Sequence, residues 1–191
     1  MDYVVLDAPA GIEARLGWDP KLTEHDRRRQ LARDILAARA GVPEDELRVE
    51  REDPTNFGHH RRLVASVDGN ALPFVISTCD YRYGTVVAVA EPGVHLGIDI
   101  RDRHPGDDEL GAMRAHSHLW EGSGDAELLA HWTRVQAVLA ADGRGMRVRP
   151  ETVRLEPGGT HGSVPDRHVH YTIVDLSRNA FIITLAYAPA T

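Results

Sequence analysis

A chain of 191 residues with 42% hydrophobic content buries one or two small cores, and its composition excludes a disordered chain. Its formal charge of −7 excludes a general nucleic-acid binder, which would carry a basic footprint. The single cysteine, Cys79, excludes both an internal disulfide framework and a multi-cysteine zinc site, and Lys21, the only lysine, confines lysine-based chemistry to one position.

In chain order, the opening MDYVVLDAPAG lacks the basic region of a signal peptide, and no run reaches the roughly 18 apolar residues that span a bilayer. A soluble cytoplasmic protein without a membrane partner, monomeric in solution, is the expectation. Thr23 with Asp26 three residues later resembles a capping box; it opens a helix through Leu31, Ile35 and Leu36 that ends near Gly41. Short β-like runs follow at 47–52, 61–69, 73–77, 84–90 and 95–100, separated by turn residues. They predict one largely antiparallel sheet. The charged segment RDRHPGDDE at 101–109 has the composition of a connector. It divides the chain into halves 1–103 and 104–191. The second half predicts helices near 107–120 and 125–142, then strands near 152–156, 167–176 and 180–188. Helix followed by sheet thus occurs twice, so the expected fold class is α+β, two similar halves that each pack a helix on a mainly antiparallel sheet.

Two segments carry specific wording: HLGIDIRD at 95–102 and HWTRVQAVLAADGRG at 131–145. Their order and spacing resemble the 4'-phosphopantetheinyl transferases, whose signatures read roughly G-[IV]-D-x-E and W-x-x-K-E-A-x-x-K-x-x-G-x-G. RRRQLARDILAARAGVPEDELRVE, PFVISTCDYRYGTVVAVA and RHVHYTIVDLSRNAFIITLAYA are similar in turn to that family's N-terminal helix and loop, its F-x-x-SHS strand pair and its closing hairpin. The resemblance implies a pseudo-dimeric fold, coenzyme A or a carrier-protein phosphopantetheine as ligand, and an acyl or peptidyl carrier protein as partner.

The residues at the family's reacting positions differ. The family holds Mg²⁺ with carboxylates, a hard oxygen set. Asp99 keeps the first ligand, whereas Arg101 stands at the second, on the same face of the strand. Two like unit charges about 4 Å apart repel by roughly 4 kcal/mol at an effective dielectric of about 20, and a divalent ion doubles that. Gln136 replaces the third carboxylate and cannot take a proton from a serine hydroxyl. Val135 and Ala140 stand where the motif lysines would be. Mg²⁺ therefore enters only under the alternative of an authentic transferase, with Asp99 as its ligand; otherwise no metal or certain cofactor is expected.

Other residues suggest what such a scaffold does instead. Trp132 shares a helical face with Leu128, Val135 and Leu139, which is a packing pattern. Ser77-Thr78-Cys79-Asp80 stands at the family's S-H-S stretch, which puts Thr78 and a thiol where the resemblance places the pantetheine arm. Cys79 reads either as a small apolar strand residue or as a nucleophile toward a thioester. A nucleophilic thiol requires an imidazole or other cation beside it, and His95 and His116 are the candidates. Three functions follow: a repurposed enzyme acting on an acyl-pantetheine thioester in natural-product biosynthesis, by cleavage or cyclising release, with Cys79, Asp99 and a histidine as its reacting groups; an authentic phosphopantetheinyl transferase; or a noncatalytic binder in which Arg101, Arg134 and Arg144 clamp phosphate in place of metal.

Overall fold

The computed structural model describes residues 1–52, 62–116, 124–178 and 180–189. Strands β1 (Asp2–Leu6) and β2 (Ile12–Trp18) precede helix α1 (Glu24–Ala40). Then come β3 (Leu47–Arg51), β4 (Leu63–Val67), β5 (Asn70–Ala71), β6 (Val75–Tyr81), β7 (Gly84–Ala90) and β8 (Val94–Asp102). Helices α2 (Asp107–Ala115) and α3 (Asp125–Asp142) lead to β9 (Arg154–Leu155), β10 (His161–Ser163), β11 (His170–Asp175) and β12 (Phe181–Pro189). The fold is α+β, with three antiparallel sheets ordered β1-β2-β7-β6, β3-β4-β5 and β8-β12-β11-β10-β9.

Strand alternation assigns each sheet face its job. Leu16, Val86 and Ala88 of the first sheet share one core with Ile98, Ile100 and Leu185 of the third. The opposite parity of the first sheet, Ile76, Val87 and Val89, meets Leu31, Ile35 and Leu36 of α1. On the far side of the third sheet, Ile173, Ala186 and Ala188 meet Val135, Val138 and Ala141 of α3. Helix α2 closes the N-terminal end of α3 through Leu110, Met113, Leu128 and Leu129, with Trp132 and Ile182 against them.

The helix ends follow the cap residues. The Thr23 hydroxyl accepts the Asp26 N–H at 3.2 Å, and Gly41 ends α1 in the left-handed region at φ 67°. Arg27 is buried yet satisfied, donating to the Thr85 hydroxyl at 2.9 Å and to the Leu22 and Arg82 carbonyls at 2.7 and 3.0 Å. It ties α1 to β7.

The expected helices at 24–40, 107 onward and 125–142 are present; residues 61 and 117–120 of the expected elements lie outside the described ones. The expectation of one N-terminal sheet is corrected. The 47–52 and 61–69 runs form the separate β3-β4-β5 sheet, while β6 and β7 join β1 and β2, a hairpin absent from the sequence reading. Strand β8 pairs with β12 from Val94↔Pro189 to Asp102↔Phe181, so the third sheet takes its edge strand from before residue 103. Strand partners are long-range choices that local residue patterns do not encode. No described helix is long and apolar enough to cross a membrane.

Candidate functional site

The edge strands β6 and β8 bring together Cys79 and Asp99. The Cys79 thiol donates to Asp99 Oδ1 at 3.4 Å, and Arg101 Nη2 donates to the same oxygen at 3.1 Å. Asp99 is 4% exposed, and its second oxygen, Oδ2, is buried with no hydrogen-bond partner among the described residues. The Arg101 Nε is likewise buried and unpartnered among them. Behind this pair, the Tyr81 hydroxyl donates to Glu109 Oε2 of α2 at 2.7 Å. Tyr81 shares the Cys79 face of β6 two residues on, a relation the strand period carries. Nothing in the local sequence marked Glu109, because only the docking of α2 brings it in.

Burial pushes the Asp99 carboxyl up from its ordinary 3.8 to about 6; Glu109 adds to that shift, and Arg101, the thiol and the Ile100 N–H oppose it. The same burial, with the Asp99 charge second, pushes the Cys79 thiol far above its ordinary 9.0. The thiol's hydrogen-bond partner is a carboxylate, and the nearby Arg101 guanidinium, which acts the other way, does not outweigh burial and the Asp99 charge. Cys79 is a protonated hydrogen-bond donor. It is expected to alkylate slowly at neutral pH, with a rate still climbing well above pH 9; fast, pH-independent alkylation at neutral pH would show a thiolate instead.

The remaining predicted residues disperse around this centre. His95 lies on β8 four residues before Asp99, about 13 Å along the strand, with its ring 6.2 Å from that of Tyr171. His116 bonds Glu151 through Nδ1 at 3.0 Å and lies 5.5 Å from the Trp132 ring. Neither imidazole hydrogen-bonds the thiol among the described contacts. Thr78 points to the opposite face of β6 from Cys79, the face on which Asp80 binds Arg28 and Thr85. Gln136 is half-buried on α3, and Trp132 packs with Leu128 against α2, whereas Val135 and Leu139, expected on the same face, belong to the core between α3 and the third sheet.

No protein-family model and no curated protein matches this chain.

The site must therefore be argued from its own groups. A guanidinium already occupies the Asp99 oxygen that a divalent ion would share, and among the described residues no three histidine, cysteine or carboxylate side chains converge for a metal. Asp99, Arg101 and Gln136 do not fit Mg²⁺. The three arginines of the expected phosphate clamp do not gather either. Arg101 holds Asp99, whereas Arg144 donates to Asp142 at 2.6 Å and to Asp166 at 2.9 Å. Arg134 is about 12 Å from the C-terminal end of α3, beyond which Arg144 lies. One diphosphate does not span them.

Proposed function

We propose that this protein processes an acyl-pantetheine thioester, carried by an acyl or peptidyl carrier protein or by coenzyme A, with Asp99 as its proton-transfer group. The observation that carries the chemistry is the Asp99 carboxyl: one oxygen fixed by Cys79 and Arg101, the other without a hydrogen-bond partner among the described residues, and a pKa near 6. A base poised close to neutral pH takes and returns a proton with little penalty either way. The substrate class rests on the ordered resemblance of HLGIDIRD and HWTRVQAVLAADGRG to the phosphopantetheinyl transferases. The same reading treats α1 on the first sheet and α3 on the third as two related halves of a pseudo-dimer.

In this mechanism Asp99 Oδ2 removes the proton of the attacking nucleophile, a water for cleavage or an internal hydroxyl or amine of the acyl chain for cyclising release. The nucleophile bonds to the thioester carbon, the C–S bond breaks, and the pantetheine sulfur takes the proton back from Asp99. Arg101 offsets the negative charge that develops on the carbonyl oxygen. Cys79 is a positioning residue, orienting the carboxylate by donating to Oδ1. Incubation with a panel of acyl-pantetheines releases free pantetheine thiol, scored by mass spectrometry. Cys79→Ala keeps a measurable rate and no acyl adduct forms on Cys79. An adduct that disappears in Cys79→Ala together with all turnover would make the thiol the nucleophile and overturn this assignment.

The transferase alternative predicts a different product. With apo carrier protein, coenzyme A and Mg²⁺, we expect no holo carrier above background, because Gln136 is no base and Arg101 opposes the metal. Stoichiometric phosphopantetheine addition would restore transferase activity as the function.

A further inference from the structure

A cavity of about 100 Å³ opens beside α3, bounded by Thr133 and Arg134 of α3, the Gly158-Gly159 turn, Asp175 of β11 and Thr184 of β12. Ile182 and Thr184 of β12, which also line it, stand directly across from Arg101 and Asp99 in the sheet register, so the cavity neighbours the Asp99 site. The Arg134 guanidinium lies against Gly159, where a Cβ would stand 2.7 Å from Nη1, and the turn itself takes φ +68°, which favours glycine. Asp175 is directly across from Thr184 in the sheet register. Its Oδ1 accepts the Ser177 N–H at 2.8 Å. The Thr184 hydroxyl donates to Thr133 at 3.0 Å, and Thr133 donates to the Ala130 carbonyl at 3.0 Å. Both hydroxyl protons are thus committed, and Thr184 offers the cavity an acceptor oxygen.

Opposite charges that line so small a space ordinarily close on each other. Arg134 and Asp175 form no ion pair, and neither has another charged partner among the described residues. We infer that the cavity binds a small zwitterion, a free α-amino acid with a side chain no larger than that of serine, its carboxylate on Arg134 and its ammonium on Asp175 and the Thr184 oxygen. A simple anion meets Arg134 but is repelled by Asp175, and a simple cation meets the reverse. The zwitterion satisfies both walls. The volume holds several waters and so admits roughly six heavy atoms, which fixes the size limit. This inference does not depend on the acyl-pantetheine reading.

Titration of the full chain with glycine, L-alanine and L-serine, followed by calorimetry or amide chemical shifts, tests it against acetate, methylammonium and inorganic phosphate. L-Alanine is expected to saturate the site at least about tenfold more tightly than acetate or methylammonium. Arg134→Gln should weaken L-alanine and acetate alike, whereas Asp175→Asn should weaken L-alanine and strengthen acetate. Phosphate or acetate binding as tightly as L-alanine would reduce the cavity to an anion site and overturn the inference, as would the absence of saturable amino-acid binding. If Asp175→Asn fails to fold for want of its turn at Ser177, the preference of the wild type among the six ligands still decides.

Discussion

Asp99→Asn should abolish turnover of acyl-pantetheine thioesters and, at the same time, make the folded protein more stable above pH 6. The loss of rate follows from the loss of the proton acceptor. Removing a general base of this kind lowers kcat by about 10² to 10⁴, and the amide still accepts the Cys79 and Arg101 hydrogen bonds, so the geometry survives. In the wild type, kcat/KM should rise with pH through an inflection near 6, the pKa of the free carboxyl. The stability change has the opposite sign and comes from the same shift. A folded-state pKa raised from 3.8 to about 6 means the native protein holds the proton more tightly than the unfolded chain. Its contribution to stability is complete below pH 3.8 and is lost as pH rises through about 6. Asparagine stays neutral and escapes that loss. The difference in unfolding free energy should be near zero at pH 4 and reach about 2 to 3 kcal/mol in favour of Asp99→Asn at pH 8, at 1.36 kcal/mol per pKa unit. The Arg101 guanidinium, which loses its counter-charge, and Glu109, whose repulsion is relieved, act in opposite directions on this figure. Urea titrations of both proteins at four pH values measure it. A pH-independent difference, or an Asp99→Asn enzyme with more than a tenth of wild-type kcat, contradicts the assigned role.

Much of this site was legible in the chain. The apolar run before Asp99, the capping pattern at Thr23 and Gly41, and the helix ending at Gly143 all depend on residues within a few positions of each other, and each stands where its local pattern put it. What escaped depends on distant segments. The pairing of β8 with β12 sets residues 94–102 against 181–189 and decides which sheet carries Asp99. In the sequence Arg101 is a cation opposing a metal; in the fold it is also the partner that keeps a buried carboxylate from standing alone. The sequence offers Cys79 as a reactive thiol, yet its chemistry is set first by burial and then by a carboxylate 20 residues on. His95 is a candidate because it begins the Asp99 strand and His116 because it lies in the helix after the connector, but their partners, Tyr171 and Glu151, lie in the last quarter of the chain. A strand sequence shows which faces alternate; it does not show what stands across from them.

Among the described glycines, Gly97→Ala should be the most damaging added methyl group. Gly97 pairs with Ala186 in the middle of β8, and α3 crosses it so closely that an added Cβ would stand 2.1 Å from the Ala137 carbonyl oxygen and 2.3 Å from the Ala141 N–H nitrogen. Both are backbone atoms of one helix, so no side-chain rotation relieves the clash. The helix must lift away from the sheet, which uncovers Val138, Ala141, Ala186 and Ala188 together. Overpacking in cores that can adjust costs about 1 to 3 kcal/mol; here the cost should exceed about 4 kcal/mol, a large share of a typical domain's total stability. That corresponds to a fall in Tm of roughly 10 °C or to failure to accumulate folded protein. Gly106→Ala is the control, because Gly106 precedes α2 at φ −70° and an added Cβ there meets nothing within 4 Å. It should be near neutral. The contrast explains why glycine and aspartate sit two residues apart in HLGIDI: the first lets α3 down onto the strand, and the second carries its carboxylate on the same face, beneath the cover that the helix provides. Thr184, directly across from Asp99, bonds to Thr133 of that helix, so the descent of α3 also dries the ground beside the carboxylate. A Gly97→Ala protein with wild-type Tm would show that α3 does not approach β8 so closely, and the burial that raises the Asp99 pKa would lose its cause.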